Sequence, residues 1–138
     1  MVIIKEENLV SMIQHARNQF PEEACGLLVG KKENENYVIE TVFFLENTEH
    51  SRIHFTISPS DQLKALKQAR TMGLEILGNW HSHPDTPARM SNEDKTFAVD
   101  HRKLYAILSL REYEKPVFHV FLWDEAAEDF IKQEVKGE

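Results

Sequence analysis

Apolar residues recur along the chain with two different periods. Leu9, Met12, Ile13, Ala16 and Phe20 fall at i, i+3, i+4, i+7 and i+11, one stripe of a helix over residues 6–19. Pro21 closes that helix, because the residue ahead of a proline is pushed out of helical backbone. The apolar run in ACGLLVGKK, the polar KKENEN and the apolar YVIETVFFL then predict two strands around a solvated turn. Residues 52–57, RIHFTI, alternate polar and apolar and predict a third strand. Ser58-Pro59-Ser60-Asp61 starts a second helix, SDQLKALKQARTM, which Gly73 ends. LEILGNWHSH reads as a strand running into the loop PDTPARM, and Ser91 opens a third helix, SNEDKTFAVDHR. LYAILSL and VFHVFLW are strand-length runs split by the charged REYEK, and DFIKQEV reads as a final edge strand. Central strands rich in branched and aromatic residues, with helices in between, predict a mixed sheet packed between helices. The pattern leaves α/β and α+β both open.

The length, 138 residues, suits one domain covering residues 1–138. Hydrophobic residues at 41% and charged residues at 28% suit a single folded core. The net charge of −7 argues against a general nucleic-acid binder, which needs a basic field to displace counterions. No apolar run approaches the ~18 residues of a membrane span. MVIIKEENLV reaches its first charge at Lys5, too early for the apolar core of a secretory signal. Cys25 is the only cysteine, which excludes an internal disulfide and a Cys-rich zinc cage. A small, acidic, soluble, cytoplasmic domain is expected.

The chemistry concentrates at His81, His83, Ser91 and Asp94. Strand side chains alternate faces, so His81 and His83 point the same way, with roots about 7 Å apart. Two imidazoles so placed can converge on one metal ion, while Ser82 points away and Pro84 stiffens the exit. Asp94 lies one turn into the third helix, on the face of Ser91. If that helix packs across the strand end, Asp94 supplies a third ligand. Two imidazoles and a carboxylate suit Zn²⁺ and leave a position open for a catalytic water. Such a water needs a proton acceptor, and Glu22 and Glu23 of PEEACGLL are the candidates. Spacing alone neither chooses between them nor excludes another carboxylate.

GNWHSHPDTPARMSNEDKTFA resembles the JAMM/MPN+ metallopeptidases: His-x-His, ten residues, Asp, with a serine three before that Asp. PEEACGLLVG is similar to that family's segment bearing the catalytic glutamate, and the resemblance assigns the role to Glu23. It extends over nearly the whole chain, including the SPSDQLKAL helix. It implies the JAMM/MPN, cytidine-deaminase-like architecture, with one Zn²⁺ held by His81, His83 and Asp94. It also implies Glu23 as catalytic base and Ser91 as donor to the oxyanion. The implied substrates are amide or isopeptide bonds at the Gly-Gly type C-terminal tails of ubiquitin-like or sulfur-carrier proteins. Short stand-alone chains of this kind resemble prokaryotic members. The insertions of larger deubiquitinating relatives find no room at residues 45–60 or in the 84–91 loop. Met90 stands where relatives often have proline, a departure expected to loosen the loop.

Plainer readings stand beside these. Ser91-x-x-Asp94 is also the pattern of a capping box; Ser91 suits both jobs, whereas Asp94 is not expected to do both. Glu22 reads as a helix-exit charge, and Cys25 as a small core residue rather than a nucleophile. Trp80 and Trp123 read as core. His15, His50, His54, His101 and His119 have no ligand spacing and read as solvated or locally bonded. A non-catalytic MPN-type binding or scaffold module is the alternative function; such modules typically have lost ligands that this chain retains.

Overall fold

The computed structural model describes residues 1–138. The elements run β1 (Val2–Ile4), α1 (Glu6–Gln19), β2 (Cys25–Glu33), β3 (Asn36–Leu45), α2 (Pro59–Thr71), β4 (Glu75–His83) and α3 (Asn92–Phe97). β5 (Leu104–Ser109), β6 (Val117–Asp124), β7 (Asp129–Lys132) and β8 (Val135–Gly137) complete the chain. All strands join one mixed sheet in the order β7-β6-β5-β4-β2-β3-β1-β8. This is the α+β form of the expected architecture.

Strand alternation explains how helices come to lie on both faces. Along β2, Leu28 joins the core that holds Met12 and Ala16 of α1, together with Val2, Ile4 and Ile39. Cys25, Leu27 and Val29 turn to the other face and join Ala65 and Ala69 of α2. Both faces of the central strands are therefore covered, which accounts for their continuous apolar runs. Gly26 is required by close approach: a Cβ there would meet the Phe43 carbonyl oxygen at 1.8 Å and Trp80 Nε1 at 2.5 Å. α2 begins as the sequence predicts, with Ser58 Oγ accepting the Asp61 N–H at 3.1 Å and Pro59 in the first turn.

Four elements differ from expectation. Residues 52–57 form no strand. Side chains take over their backbone groups instead: Asn47 binds those of His54 and Thr56, and Ser51 Oγ accepts from Ile53 and His54 N–H. Residues 46–57 thus form an irregular strap between β3 and α2. α3 stops at Phe97, because Ala98 leaves helical backbone and Asp100 turns the chain by accepting the Arg102 N–H. The tail holds two strands rather than one, and Val2–Ile4, too short to show a period, forms a further strand.

β7 and β8 sit at opposite edges of the sheet, yet only Gln133 and Glu134 separate them. Three residue steps span at most about 11 Å, so the two edges must approach each other and the sheet curls. The Gln133 N–H donates to Val120 O and the Val2 N–H to Glu134 O, both at 2.8 Å, across that junction.

Candidate active site

The site forms at the end of β4, beyond the start of β2. β4 and β2 are antiparallel with Cys25 opposite His81, so one further step puts Ala24 opposite Ser82 and another brings Glu23 level with His83. Ser82 locks that register. Its buried Oγ accepts the Ala24 N–H at 2.7 Å, and its own N–H donates to Ala24 O at 2.9 Å. The side chain that alternation turned away from the histidines thus fixes Glu23 beside them. On the other flank β5 runs parallel to β4, and the Leu110 N–H holds His83 O at 3.0 Å.

His81, His83 and Asp94 converge, with ligand atoms all within 4.8 Å of one another. The two Nε2 atoms lie 3.0 Å apart. Asp94 places Oδ1 3.2 Å from His81 Nε2 and Oδ2 3.1 Å from His83 Nε2. A tetrahedral ion with bonds of ~2.0–2.1 Å spaces its ligand atoms about 3.3 Å apart, so the three side chains already stand close to zinc spacing. Both histidines are buried, at 4% and 5% exposure. The Pro87 carbonyl, 2.9 Å from His83 Nδ1, takes the proton there and leaves Nε2 free as a ligand. The donor set, its spacing and its burial all fit Zn²⁺.

Asp94 also closes the capping box, the plainer reading, while its carboxylate still faces both histidines. Its Oδ2 accepts the Ser91 N–H at 2.9 Å while its own N–H donates to Ser91 Oγ at 3.0 Å. A carboxylate has about four lone-pair sites, so Oδ2 can cap the helix while Oδ1 is left entirely to the histidine side. The cap uses Ser91 Oγ only as an acceptor, and its hydroxyl hydrogen stays available.

Glu23, 5% exposed, lines a cleft of about 380 Å³ together with His81, Asp94, Ile53, Phe55 and Phe97. Its backbone is fixed: the N–H donates to Ser51 O at 2.7 Å, and its carbonyl accepts from Asn47 Nδ2 at 3.0 Å. Asn47 and Ser82 are the polar residues that sequence reading left unassigned. Strand alternation placed Ser82 away from the histidines, but nothing in the sequence marks Asn47.

Charge in the site follows burial and neighbours. Burial pushes the Glu23 carboxyl up to about 8; His83 opposes the shift, and Asp94, Glu93 and Glu49 add to it. Burial would also raise Asp94, but hydrogen bonds from His81 and His83 outweigh it and hold Asp94 well below the usual carboxylate range. Burial lowers His81, partly offset by Asp94. For His83 burial is outweighed by Asp94, the Pro87 carbonyl and Glu23, and the imidazole is raised.

A pH test follows from Glu23. Between its ordinary value of 4.5 and about 8, the unfolded chain has lost the proton that the metal-free fold retains. The Glu23 contribution is therefore fully present below about 4.5 and is lost as pH rises through about 8. Urea unfolding in chelator at pH 5 and pH 9 should show wild type losing stability relative to Glu23→Gln, on the order of 4 kcal/mol. Parallel pH profiles for the two proteins would contradict the buried, protonated state.

The remaining residues fall where the plainer readings put them, except Trp123, expected in the core, which is only half-buried. Glu22 pairs with the exposed His50 at 3.5 Å. Cys25 is fully buried, and burial with the Glu23 charge pushes its thiol up to about 12, too high for a nucleophile. Trp80 is fully buried and donates Nε1–H to Phe43 O, while Trp123 is half-buried and stacks on His101 at 3.9 Å. His119 bonds Ala88 O, His54 bonds Glu93, and His15 stacks on Phe44. Met90 does not loosen its loop: it is buried among Ala88, Ala98 and Tyr105 and anchors the segment by packing.

Comparison with known proteins identifies the family. The family described as prokaryotic homologs of the JAB domain matches residues 5–124. The desampylase of Pyrococcus furiosus is 33% identical over 103 residues, covering 75% of this chain and 68% of the relative. The CysO-cysteine peptidase of Mycobacterium tuberculosis is 29% identical over 115 residues, covering 81% of this chain and 75% of the relative. A Desulfitobacterium hafniense protein of known solution structure superimposes with a TM-score of 0.91 at 40% identity, over 100% of this chain and 93% of its own. Sequence match, fold and curled mixed sheet agree, and the chain belongs to the prokaryotic homologs of the JAB domain.

Proposed function

We propose that this chain is a zinc metallopeptidase that hydrolyses amide or isopeptide bonds at the C-terminal tails of ubiquitin-like or sulfur-carrier proteins, with residues 1–138 acting as one catalytic unit. The observation that carries the reading is the convergence of His81, His83 and Asp94 at zinc spacing in a cleft that Glu23 also lines. Relatives named as a desampylase and a CysO-cysteine peptidase support the substrate class.

His81 Nε2, His83 Nε2 and the Asp94 carboxylate would hold the ion. Bound there, Zn²⁺ supplies Lewis acidity, which brings the pKa of a water toward ~7 and polarises a carbonyl. Glu23 takes the proton from the attacking water and delivers it to the leaving amine. The Ser91 hydroxyl donates to the developing oxyanion, a contact typically worth about 3–4 kcal/mol. An extended tail fits the cleft between the strap and α3, where Ile53, Phe55 and Phe97 give apolar walls. No helix is long and apolar enough to cross a membrane, and the proposed setting is the cytoplasm, where a lone thiol stays reduced.

The test pairs zinc binding with cleavage. Purified protein is given a sulfur-carrier fusion extended beyond its C-terminal Gly-Gly, and products are read by intact mass. Cleavage after the second glycine, stopped by chelator and restored by zinc, is expected. Zinc binding with no cleavage of any Gly-Gly fusion would overturn the substrate class; absence of zinc binding would overturn the chemistry.

A further inference from the structure

We infer that Phe55 is a positioning residue that sets the ring of His81 by stacking, in the role that a hydrogen bond plays for His83. The inference rests on the zinc reading of His81, His83 and Asp94. Metal-ligating histidines ordinarily give their second ring nitrogen to a carbonyl or carboxylate, which fixes tautomer and ring plane. His83 does so through Pro87. His81 does not: its Nδ1 is buried and has no partner.

Against the His81 ring, on the side its Nε2 contacts leave free to turn, lies the flat face of Phe55, with centroids 4.6 Å apart and planes 20° from parallel. Phe55 belongs to the strap, and the strap is gripped on either side of it. Asn47 Nδ2 donates to His54 O at 2.9 Å, and Asn47 Oδ1 accepts the Thr56 N–H at 3.1 Å. His54 also ties the strap to α3 through Glu93 at 2.6 Å. The same Asn47 amide donates to Glu23 O, so one buried side chain seats both the stacking ring and the base. A flat ring pressed on an imidazole blocks its rotation about the Cβ–Cγ bond and keeps Nε2 aimed at His83 and Asp94. An apolar side chain of similar volume but no flat face fills the space without that restraint.

The experiment compares wild type with Phe55→Leu, Phe55→Met and Phe55→Tyr. Zn²⁺ affinity is measured by competition with a chromophoric chelator, and ligand geometry by the visible absorption of the Co²⁺-loaded protein. Metal-free unfolding midpoints establish which variants fold. Leu and Met should each weaken Zn²⁺ binding about 10–100-fold, the usual cost of disturbing a ligand's support, and should alter the Co²⁺ bands. Tyr, which keeps the ring, should retain wild-type affinity and spectrum. Should Leu not fold, Met carries the comparison. Folded Leu or Met variants with wild-type affinity and spectrum overturn the inference, as does a Tyr variant that fails alongside them. Wild type that binds neither ion overturns the zinc reading itself and this inference with it.

Discussion

Glu23→Gln should bind zinc as wild type does and turn over about 10²–10⁴-fold more slowly, the range that a lost general base typically costs. The substitution keeps size and removes only the ability to take a proton. Chain displacement is an unpromising rival explanation, because Glu23 is held by main-chain contacts: Ser51 O on one side, Asn47 Nδ2 on the other, and the Ala24–Ser82 clamp next door. Metal content measured on the same preparation separates the base from the ligands. A Gln variant that carries zinc and cleaves at the wild-type rate would remove Glu23 from the mechanism.

Asp94→Asn should lower zinc affinity by more than about 100-fold, beyond what changes outside the ligand shell usually cost, and abolish cleavage at ordinary zinc levels. This variant is informative because Asp94 caps α3 and is also the proposed third ligand. An Asn amide oxygen can still accept the Ser91 N–H, so the start of α3 should survive while the ligand charge disappears. Asp94→Ala removes both and should cost a further ~1 kcal/mol in unfolding experiments. Equal zinc affinity in wild type and Asp94→Asn would show that the carboxylate does not bind the ion. Equal losses of stability in Asn and Ala would show that the cap contributes nothing.

Much of this arrangement was legible in the residues because it depends on local rules. The α1 stripe, the Ser58-Pro59 start of α2 and the shared face of His81 and His83 follow from periods of 3.6 and 2 and from capping chemistry. Glu23 needed the family resemblance, since the choice over Glu22 depends on which strand β2 lies beside. The strap misled the alternation rule: RIHFTI has the right residues for a strand, but Asn47 and Ser51 bind its backbone first. That Asp94 can close the cap and still face the histidines has a reason no sequence displays: Oδ2 serves both the Ser91 N–H and His83, and Oδ1 is turned to His81.

The junction at Gln133 and Glu134 has a consequence for synthesis. β1 is made before every other strand of this sheet, yet one of its two neighbours, β8, is made after all of them, and Val2 pairs with Val135. The nascent polypeptide must therefore carry β1 with one side bare until β8 has emerged. Only then can the outermost ladder zip and the domain acquire its final cooperativity.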